Sequence, residues 1–248
     1  SYPSVGATEN IILAAVLADG ETNIFHSAVE PEILNLIDML NAMGAKISCD
    51  STKRHIKITG VSRLSGIKTT VMPDRNEIVS FAVAALATHG EVFMEDVASS
   101  YLISFLEKLK ECGAQFNLEG GGIKFWGGGN YRALNIETSP HPGFMTDWQQ
   151  PFSILLTQAQ GESIIHETVY EDRFGYVKDL ERMGATIRVS DECWGGERCR
   201  FYGKAFRHSA GISGPTKLHG SEVTMTDLRA GMAHMIAALS AEGESVIA

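Results

Sequence analysis

A carboxylate at position 147 lies where the sequence predicts a rigid turn followed by the first turn of an apolar helix. Two prolines and a glycine restrict the preceding segment 138–146, and Thr146 is a predicted N-cap of a helix over 148–159. Asp147 could stabilise this helix by complementing its dipole. It could instead act as a general base that accepts a proton from a substrate hydroxyl. The local sequence permits both interpretations.

Similar polar groups recur at the predicted starts of four apolar helices. The four segments are Ser4 to Glu9, Pro73 to Arg75, Thr146 to Asp147 and Thr226 to Arg229. If the helices surround a common axis, their N-termini converge and favour a phosphate-bearing ligand. Arg75, Arg173 and Arg229 would then add bidentate donors for an anion. In the alternative interpretation these residues are helix caps and interdomain ion pairs.

The elements that position these groups form a repeated unit. Gly20, Gly90, Gly161 and Gly243 each follow an apolar helix and begin a strand, and Gly44, Gly113 and Gly184 each end a second helix. The first helix of each unit is apolar on most sides, whereas the second has one apolar stripe. The pattern predicts an α/β protein built from helix-strand-helix-strand units, with additional strand pairing, helices inside and sheets outside.

Composition limits the classes of function. The chain has 248 residues, 44% of them hydrophobic, and a net charge of -9. It lacks a basic cluster with interleaved aromatic residues and has no apolar run approaching the roughly 18 residues of a membrane span. We therefore predict a globular, cytoplasmic protein with no nucleic-acid or membrane partner. A small anionic substrate is compatible with the acidic chain, because local arginines can oppose its net charge.

Four cysteines are too few to form a disulfide scaffold in a chain of this length. Cys193 and Cys199 flank a short segment that a metal or a disulfide could close. No second Cys/His pair lies nearby in the sequence, so we predict neither a metal nor a cofactor. The surrounding segment 191–208 is predicted to be a surface hairpin or a partner surface.

Four motifs, in this order, resemble those of the enolpyruvyl transferases. They are Pro3 to Asn10, His141 to Asp147, Glu167 to Phe174 and Thr226 to Gly231. The resemblance covers nearly the whole chain and implies two domains, each an inside-out α/β barrel of three repeats. By this resemblance, residues 1–70 are the last repeat unit of the first domain. Residues 71–248 are most of the second domain, with two full units and the start of a third.

The resemblance also implies a reaction. It is closest to the members that transfer the enolpyruvyl group from phosphoenolpyruvate to the 3-hydroxyl of UDP-N-acetylglucosamine, with release of phosphate, in the first committed step of peptidoglycan synthesis. Asp147 matches the proposed proton acceptor. The implied substrate-binding residues are a nucleotide segment of Tyr2, Pro3, Ser4, Val5 and Gly6, the backbone of Val169, the anion-site Arg173, and the interdomain pair Asp227 and Arg229.

Several family features have no counterpart in this sequence. These are an opening Lys-Asn motif, a catalytic-loop cysteine in a Pro-Gly-Gly-Cys type motif, and a late arginine motif for phosphoenolpyruvate. We therefore expect the chain to be the interior of a longer protein, to need the missing remainder as its partner, and to be inactive alone. Two alternatives stay open: a sister enolpyruvyl transferase with another acceptor, such as shikimate 3-phosphate, and a non-catalytic paralogue that binds a UDP-sugar.

Overall fold

The computed structural model describes residues 2–196, 198–225 and 228–248, and the chain forms two compact units that divide between Met72 and Pro73. Unit 1 contains α1 (Val5–Ala15), β1 (Glu21–Phe25), α2 (Pro31–Ala42), β2 (Lys46–Asp50) and β3 (His55–Thr59). Its three strands form an antiparallel sheet in the order β1-β3-β2. The two helices and this sheet share a small apolar core of their own.

Unit 2 contains the remaining elements. They are α3 (Arg75–Ala87), β4 (Glu91–Glu95), α4 (Ile103–Cys112), β5 (Gln115–Glu119), β6 (Gly122–Trp126), β7 (Asn135–Glu137), α5 (Gln149–Thr157), β8 (Gly161–His166), α6 (Val177–Arg182), β9 (Thr186–Ser190), β10 (Ser209–Gly214), β11 (Glu222–Val223), α7 (Leu228–Ser240) and β12 (Val246–Ile247). The strands form three sheets, in the orders β4-β6-β5, β7-β8-β10-β9 and β11-β12. β7 and β8 run parallel, whereas β10 is antiparallel to both of its neighbours.

The predicted repeat is confirmed. Three successive units follow the order helix, strand, helix, strand, strand, starting at α1, α3 and α5. Gly44, Gly113 and Gly184 end the second helix of each unit with φ between 82° and 103°. Glycine is the residue that adopts this left-handed conformation without a steric penalty, so the recurring glycine marks the same turn each time.

The all-apolar helices pack on one another in unit 2. α3, α5 and α7 are in mutual contact, and every residue of α5 is buried. α1 differs from this expectation, since Ile11 and Leu13 are 42% and 52% exposed. Unit 1 has one helix of this type and unit 2 has three, so within its own unit α1 has no equivalent helix to cover it.

No helix in the described part of the chain is long and apolar enough to cross a membrane.

Candidate functional site

The candidate site begins where β7 and β8 end. Because these strands are parallel, the segments that follow them leave the same edge of the sheet. Thr138 and Thr168 join the two segments: the Thr168 amide donates to Thr138 Oγ1 at 2.8 Å, and Thr168 Oγ1 donates to the Thr138 carbonyl at 2.6 Å. The segment with Asp147 is therefore fixed beside the segment with Val169 and Arg173.

The turn that leads to Asp147 is held by backbone bonds and by packing. The Ser139 amide donates to the Phe144 carbonyl at 2.8 Å, and the Gly143 amide donates to the Pro140 carbonyl at 2.9 Å. Phe144 is buried and makes edge contacts with Trp148 and Phe152, with ring centroids 5.6 Å and 5.4 Å away. The predicted rigidity of the turn follows from these contacts.

Thr146 does not cap the helix, and that prediction was wrong. Met145 is the N-cap of a short 3-10 helix, Thr146–Trp148, that leads into α5. The Thr146 hydroxyl donates instead to Oε2 of Glu167 at 2.8 Å. A buried carboxylate competes for the hydroxyl that would otherwise accept a backbone N–H, because its own oxygens need donors.

Glu167 connects the two segments from inside the protein. Its side chain is fully buried, and Oε1 accepts from Thr138 Oγ1 at 2.8 Å and from the amides of Val169 and Tyr170 at 2.7 and 2.9 Å. Burial raises the pKa of Glu167 above its ordinary value, and the hydrogen bonds from Tyr170 and Thr138 oppose that rise. The sequence placed Glu167 in a motif but gave it no role.

Asp147 lies between two arginines. Nη2 of Arg173 is 2.5 Å from Asp147 Oδ1, and Nε of Arg229 is 3.6 Å from Asp147 Oδ2. The side chains of Asp147, Arg173 and Arg229 are 25%, 12% and 28% exposed, respectively. Two cations and a carboxylate are therefore partly desolvated but accessible, which suits the binding of an anion next to a proton acceptor.

Arg173 is oriented by two further residues. Its guanidinium lies over the ring of Tyr170, with the central carbon 4.6 Å from the ring centroid. With the Gln150 amide oriented to satisfy its neighbours, the side-chain oxygen accepts from Arg173 Nε at 2.6 Å and the nitrogen donates to the Thr146 carbonyl at 3.1 Å. Gln150 and Tyr170 are functional candidates that the sequence analysis missed, although Tyr170 belongs to one of the motifs.

The other predicted residues have separate positions. Tyr2 to Gly6 lie in unit 1 at the start of α1, where Ser4 Oγ accepts from the Ala7 amide at 3.3 Å and Gly6 faces open space. The Val169 amide is already bonded to Glu167, so a backbone contact from Val169 to a ligand has to use its carbonyl. Asp227, together with Thr226, lies outside the described residues.

Arg75 does not share the environment of Arg173 and Arg229. It is fully buried at the start of α3, beneath its N-cap Asp74. Its contacts include the Tyr101 carbonyl at 3.3 Å and the ring of Trp148, 5.5 Å from the guanidinium carbon. A guanidinium in this position supports the helix that follows Asp147 and is not exposed to an anion from solvent.

A second group of reactive side chains lies next to Glu167. The described residues His166, Cys193, Cys199 and His208 bring four potential metal-ligand atoms within 4.8 Å of one another. His208 belongs to the same segment 191–208 as the two cysteines, whereas His166 comes from the end of β8, so the four residues do not form a recognisable spacing motif in the sequence.

Two solved structures share the fold. The enolpyruvyl transferase NikO from Streptomyces tendae matches with a TM-score of 0.84 at 22% identity, over 100% of this chain and 55% of that chain. EPSP synthase from Acinetobacter baumannii matches with a TM-score of 0.70 at 21% identity, over 99% of this chain and 56% of that chain. The fold is therefore the mixed α/β fold of the enolpyruvyl transferases, as predicted.

Sequence comparison defines the family more closely. The family model for EPSP synthase (3-phosphoshikimate 1-carboxyvinyltransferase) matches residues 1–248, so the chain belongs to that family. A UDP-N-acetylglucosamine 1-carboxyvinyltransferase from Protochlamydia amoebophila is 49% identical over 99% of this chain and 53% of the relative. Another, from Caldanaerobacter subterraneus subsp. tengcongensis, is 46% identical over 99% of this chain and 55% of the relative. The chain thus spans about half the length of the curated relatives that it matches.

Proposed function

We propose that the full-length protein containing this chain transfers the enolpyruvyl group of phosphoenolpyruvate to the 3-hydroxyl of UDP-N-acetylglucosamine, in peptidoglycan synthesis. The observation that carries this proposal is the position of Asp147 between Arg173 and Arg229 at the end of two parallel strands. Support for this acceptor comes from the relatives at 46% and 49% identity, which are named for it.

Asp147 is the proton acceptor in this proposal. A bond forms between the sugar oxygen and C2 of phosphoenolpyruvate, and the bond between C2 and the bridging phosphate oxygen breaks. The hydroxyl proton passes to Asp147 and finally to the departing phosphate, so the overall reaction is balanced. A positioned general base of this kind contributes about 10²- to 10⁴-fold to a rate.

Arg173 and Arg229 bind the anionic groups of the substrates. In the ligand-free arrangement Arg173 pairs with Asp147 and occupies one of its two oxygens. A guanidinium has five N–H donors, and a substrate phosphate or carboxylate competes with Asp147 for them. Substrate binding therefore frees Asp147 at the moment when it is needed, and Gln150 and Tyr170 keep Arg173 in position.

The nucleotide-binding role belongs to the remaining predicted residues. Tyr2 to Gly6 present the start of α1, where exposed Gly6 lets a ligand approach the backbone. The Val169 carbonyl accepts from the sugar nucleotide, and Asp227 is a further proposed substrate-binding residue. In the same proposal the two units are the last repeat of the first family domain and most of the second, and the protein acts in the cytoplasm.

The test is phosphate release by the full-length protein with phosphoenolpyruvate and one of two acceptors. We expect release with UDP-N-acetylglucosamine and none with shikimate 3-phosphate. The second acceptor is a real alternative, because the family model is described by that activity and one of the fold neighbours is an EPSP synthase. Release only with shikimate 3-phosphate would replace the proposed acceptor. Silence with both, combined with tight UDP-sugar binding, would favour a non-catalytic paralogue.

A further inference from the structure

The second cluster is assembled by strand pairing. His166 is the last residue of β8, and its partner across the sheet is Ser209, the first residue of β10. His208, which precedes Ser209, therefore lies beside His166, with their ring centroids 5.5 Å apart. The connection from β9 to β10 folds back over this strand end and brings Cys193 and Cys199 to the two histidines.

Two of the spacings between the ligand atoms are close to those of a tetrahedral metal site. Cys193 Sγ lies 3.5 Å from Cys199 Sγ and 3.3 Å from His208 Nε2. A tetrahedron with zinc-ligand distances of about 2.3 Å for sulfur and about 2.0 Å for nitrogen has edges of roughly 3.8 Å between two sulfurs, 3.5 Å between sulfur and nitrogen and 3.3 Å between two nitrogens. A disulfide needs a sulfur-sulfur distance near 2.05 Å, and both cysteines are free thiols here.

The outer contacts turn both imidazoles towards the centre of the cluster. His166 Nδ1 lies 2.9 Å from Glu137 Oε2, and His208 Nδ1 lies 2.7 Å from the Phe206 carbonyl. Each ring can donate from Nδ1 and offer Nε2 as a ligand, the arrangement that orients histidines at metal sites. The Phe201 amide also points at Cys199 Sγ, at 3.3 Å, as amides do towards a thiolate.

One of these nitrogens is without a partner. His166 is 1% exposed, and its Nε2 has no hydrogen-bond partner within the part of the chain that the structure describes. A buried nitrogen in this state is unfavourable, and a metal ion at the centre of the cluster would satisfy it. Gly195 permits this packing, because a Cβ there would overlap His166 Nδ1 and Glu137 Oε2.

We propose that His166, Cys193, Cys199 and His208 bind one Zn²⁺ ion. Two thiolates and two imidazoles with tetrahedral spacing favour zinc over magnesium or calcium, which prefer oxygen ligands. Four protein ligands complete the coordination shell, so the site holds its metal for structure and leaves no position for a substrate.

The metal would anchor segment 191–208 to the candidate active site. His166 directly precedes Glu167, the buried residue that fixes Val169 and Tyr170. Arg200 of the same segment pairs with Glu171, two residues before Arg173, at a distance of 2.5 Å. Zinc at this point ties a long connection to the chain that carries the anion-binding arginine.

The first test measures zinc in the full-length protein, purified under reducing conditions without a histidine tag. We expect one more equivalent of zinc in wild-type protein than in Cys193→Ser or Cys199→Ser. Cys49→Ser is the matched control, because Cys49 is a free cysteine on β2 of unit 1. Equal zinc content in Cys193→Ser and Cys49→Ser, before and after incubation with zinc, would overturn the proposal.

A spectrum of the wild-type protein does not depend on the folding of any variant, and a chelator competition complements it with one substitution. Wild-type protein reconstituted with Co²⁺ should show the intense visible absorption and sulfur-to-metal charge transfer of a tetrahedral S₂N₂ site. Glu137→Gln should weaken metal binding roughly 10- to 100-fold in a chelator competition, since it removes the carboxylate that orients His166. Octahedral Co²⁺ spectra, or a native disulfide between Cys193 and Cys199, would exclude the site.

Discussion

Two clusters of reactive side chains flank one strand end and differ in exposure. Asp147, Arg173 and Arg229 keep between 12% and 28% of their side-chain surface exposed. In the other cluster His166 and His208 are 1% and 0% exposed, whereas Cys193 and Cys199 are only partly buried. Groups that must meet a substrate stay accessible and neutralise one another by ion pairing. The histidines of a structural metal site can be buried from solvent, because a metal with four protein ligands binds no substrate.

The peptide bond between His166 and Glu167 joins the two clusters. His166 faces the cysteines, whereas Glu167 receives hydrogen bonds from the segments around Asp147 and Val169. A metal that fixes His166 would therefore also help to fix Glu167 and the segments around Asp147 and Val169 that it binds. Both clusters lie in unit 2, and both depend on the parallel pairing of β7 with β8.

The largest expected effect is on the cluster of Asp147, Arg173 and Arg229, hereafter the open cluster. Asp147→Asn in the full-length protein should lower kcat by about 10²- to 10⁴-fold, because the amide keeps the shape but cannot accept the proton. The affinity for UDP-N-acetylglucosamine should change little. Steady-state phosphate release checks both quantities. Asp50→Asn, at the last residue of β2 in unit 1, is the control and should retain wild-type turnover. An equal loss in both variants would remove the special role of Asp147.

Metal removal tests the cluster of His166, Cys193, Cys199 and His208. Chelation of the full-length protein should accelerate tryptic cleavage after Arg198, Arg200 or Lys204 roughly tenfold or more, because metal binding stabilises the folded state of this segment. Cleavage after Lys53, in an exposed turn of unit 1, should not change and serves as the internal control. Cleavage of segment 191–208 at the same rate with and without chelator would show that no metal holds it.

Arg173→Lys tests the geometry of the open cluster while keeping its charge. A lysine cannot contact Asp147 and Gln150 together or stack on Tyr170 as a plane. Loss of one charge-assisted hydrogen bond, about 1.5–3 kcal/mol, corresponds to roughly a 10- to 100-fold decrease in kcat/KM. Arg182→Lys, on the exposed face of α6, should leave kcat/KM unchanged. Equal kinetics for both variants would contradict a binding role for Arg173.

The smallest effect concerns the residue between the clusters. Burial raises the pKa of Glu167 above its ordinary value of 4.5, so the folded protein holds this proton more tightly than the unfolded chain does. The resulting stability is complete below the ordinary pKa and is lost as the pH rises through the raised one. Relative to Glu167→Gln, wild type should lose free energy of unfolding over that window, at up to about 1.4 kcal/mol per pH unit.

Urea unfolding at a series of pH values measures this difference. Glu162→Gln is the control, because Glu162 lies at the exposed start of β8 and pairs with Arg188. Its stability should follow the wild-type pH profile. A constant difference between wild type and Glu167→Gln at every pH would show that Glu167 does not titrate with a raised pKa.

The sequence predicted one cluster well and the other poorly, for physical reasons. Local patterns were sufficient for the repeat and for the rigid turn before Asp147, since glycine turns and a proline-restricted turn act over a few residues. Thr146 was assigned as a cap because its hydrogen bond to the buried Glu167 cannot be read from neighbours in sequence. The side-chain orientations of Arg173 and Gln150 likewise depend on contacts between segments.

The metal ligands could not be found from a spacing motif. His166 is 27 residues before Cys193, on another strand, and only the register of β8 with β10 brings it to His208. One available signal was the pair of histidines at the predicted ends of strands that flank a segment with two cysteines. Without the strand order, that signal does not say which histidine meets which cysteine.

The most direct test of the central claim, that Asp147 serves the chemical step, is single-turnover phosphate release. Full-length wild type and Asp147→Asn should each be in excess over phosphoenolpyruvate, at enzyme concentrations above its Kd, with UDP-N-acetylglucosamine at saturating concentration. The account predicts that the single-turnover rate falls by the same factor as kcat, with nucleotide binding nearly unchanged. An unchanged single-turnover rate would contradict it and would assign Asp147 to product release or to structure.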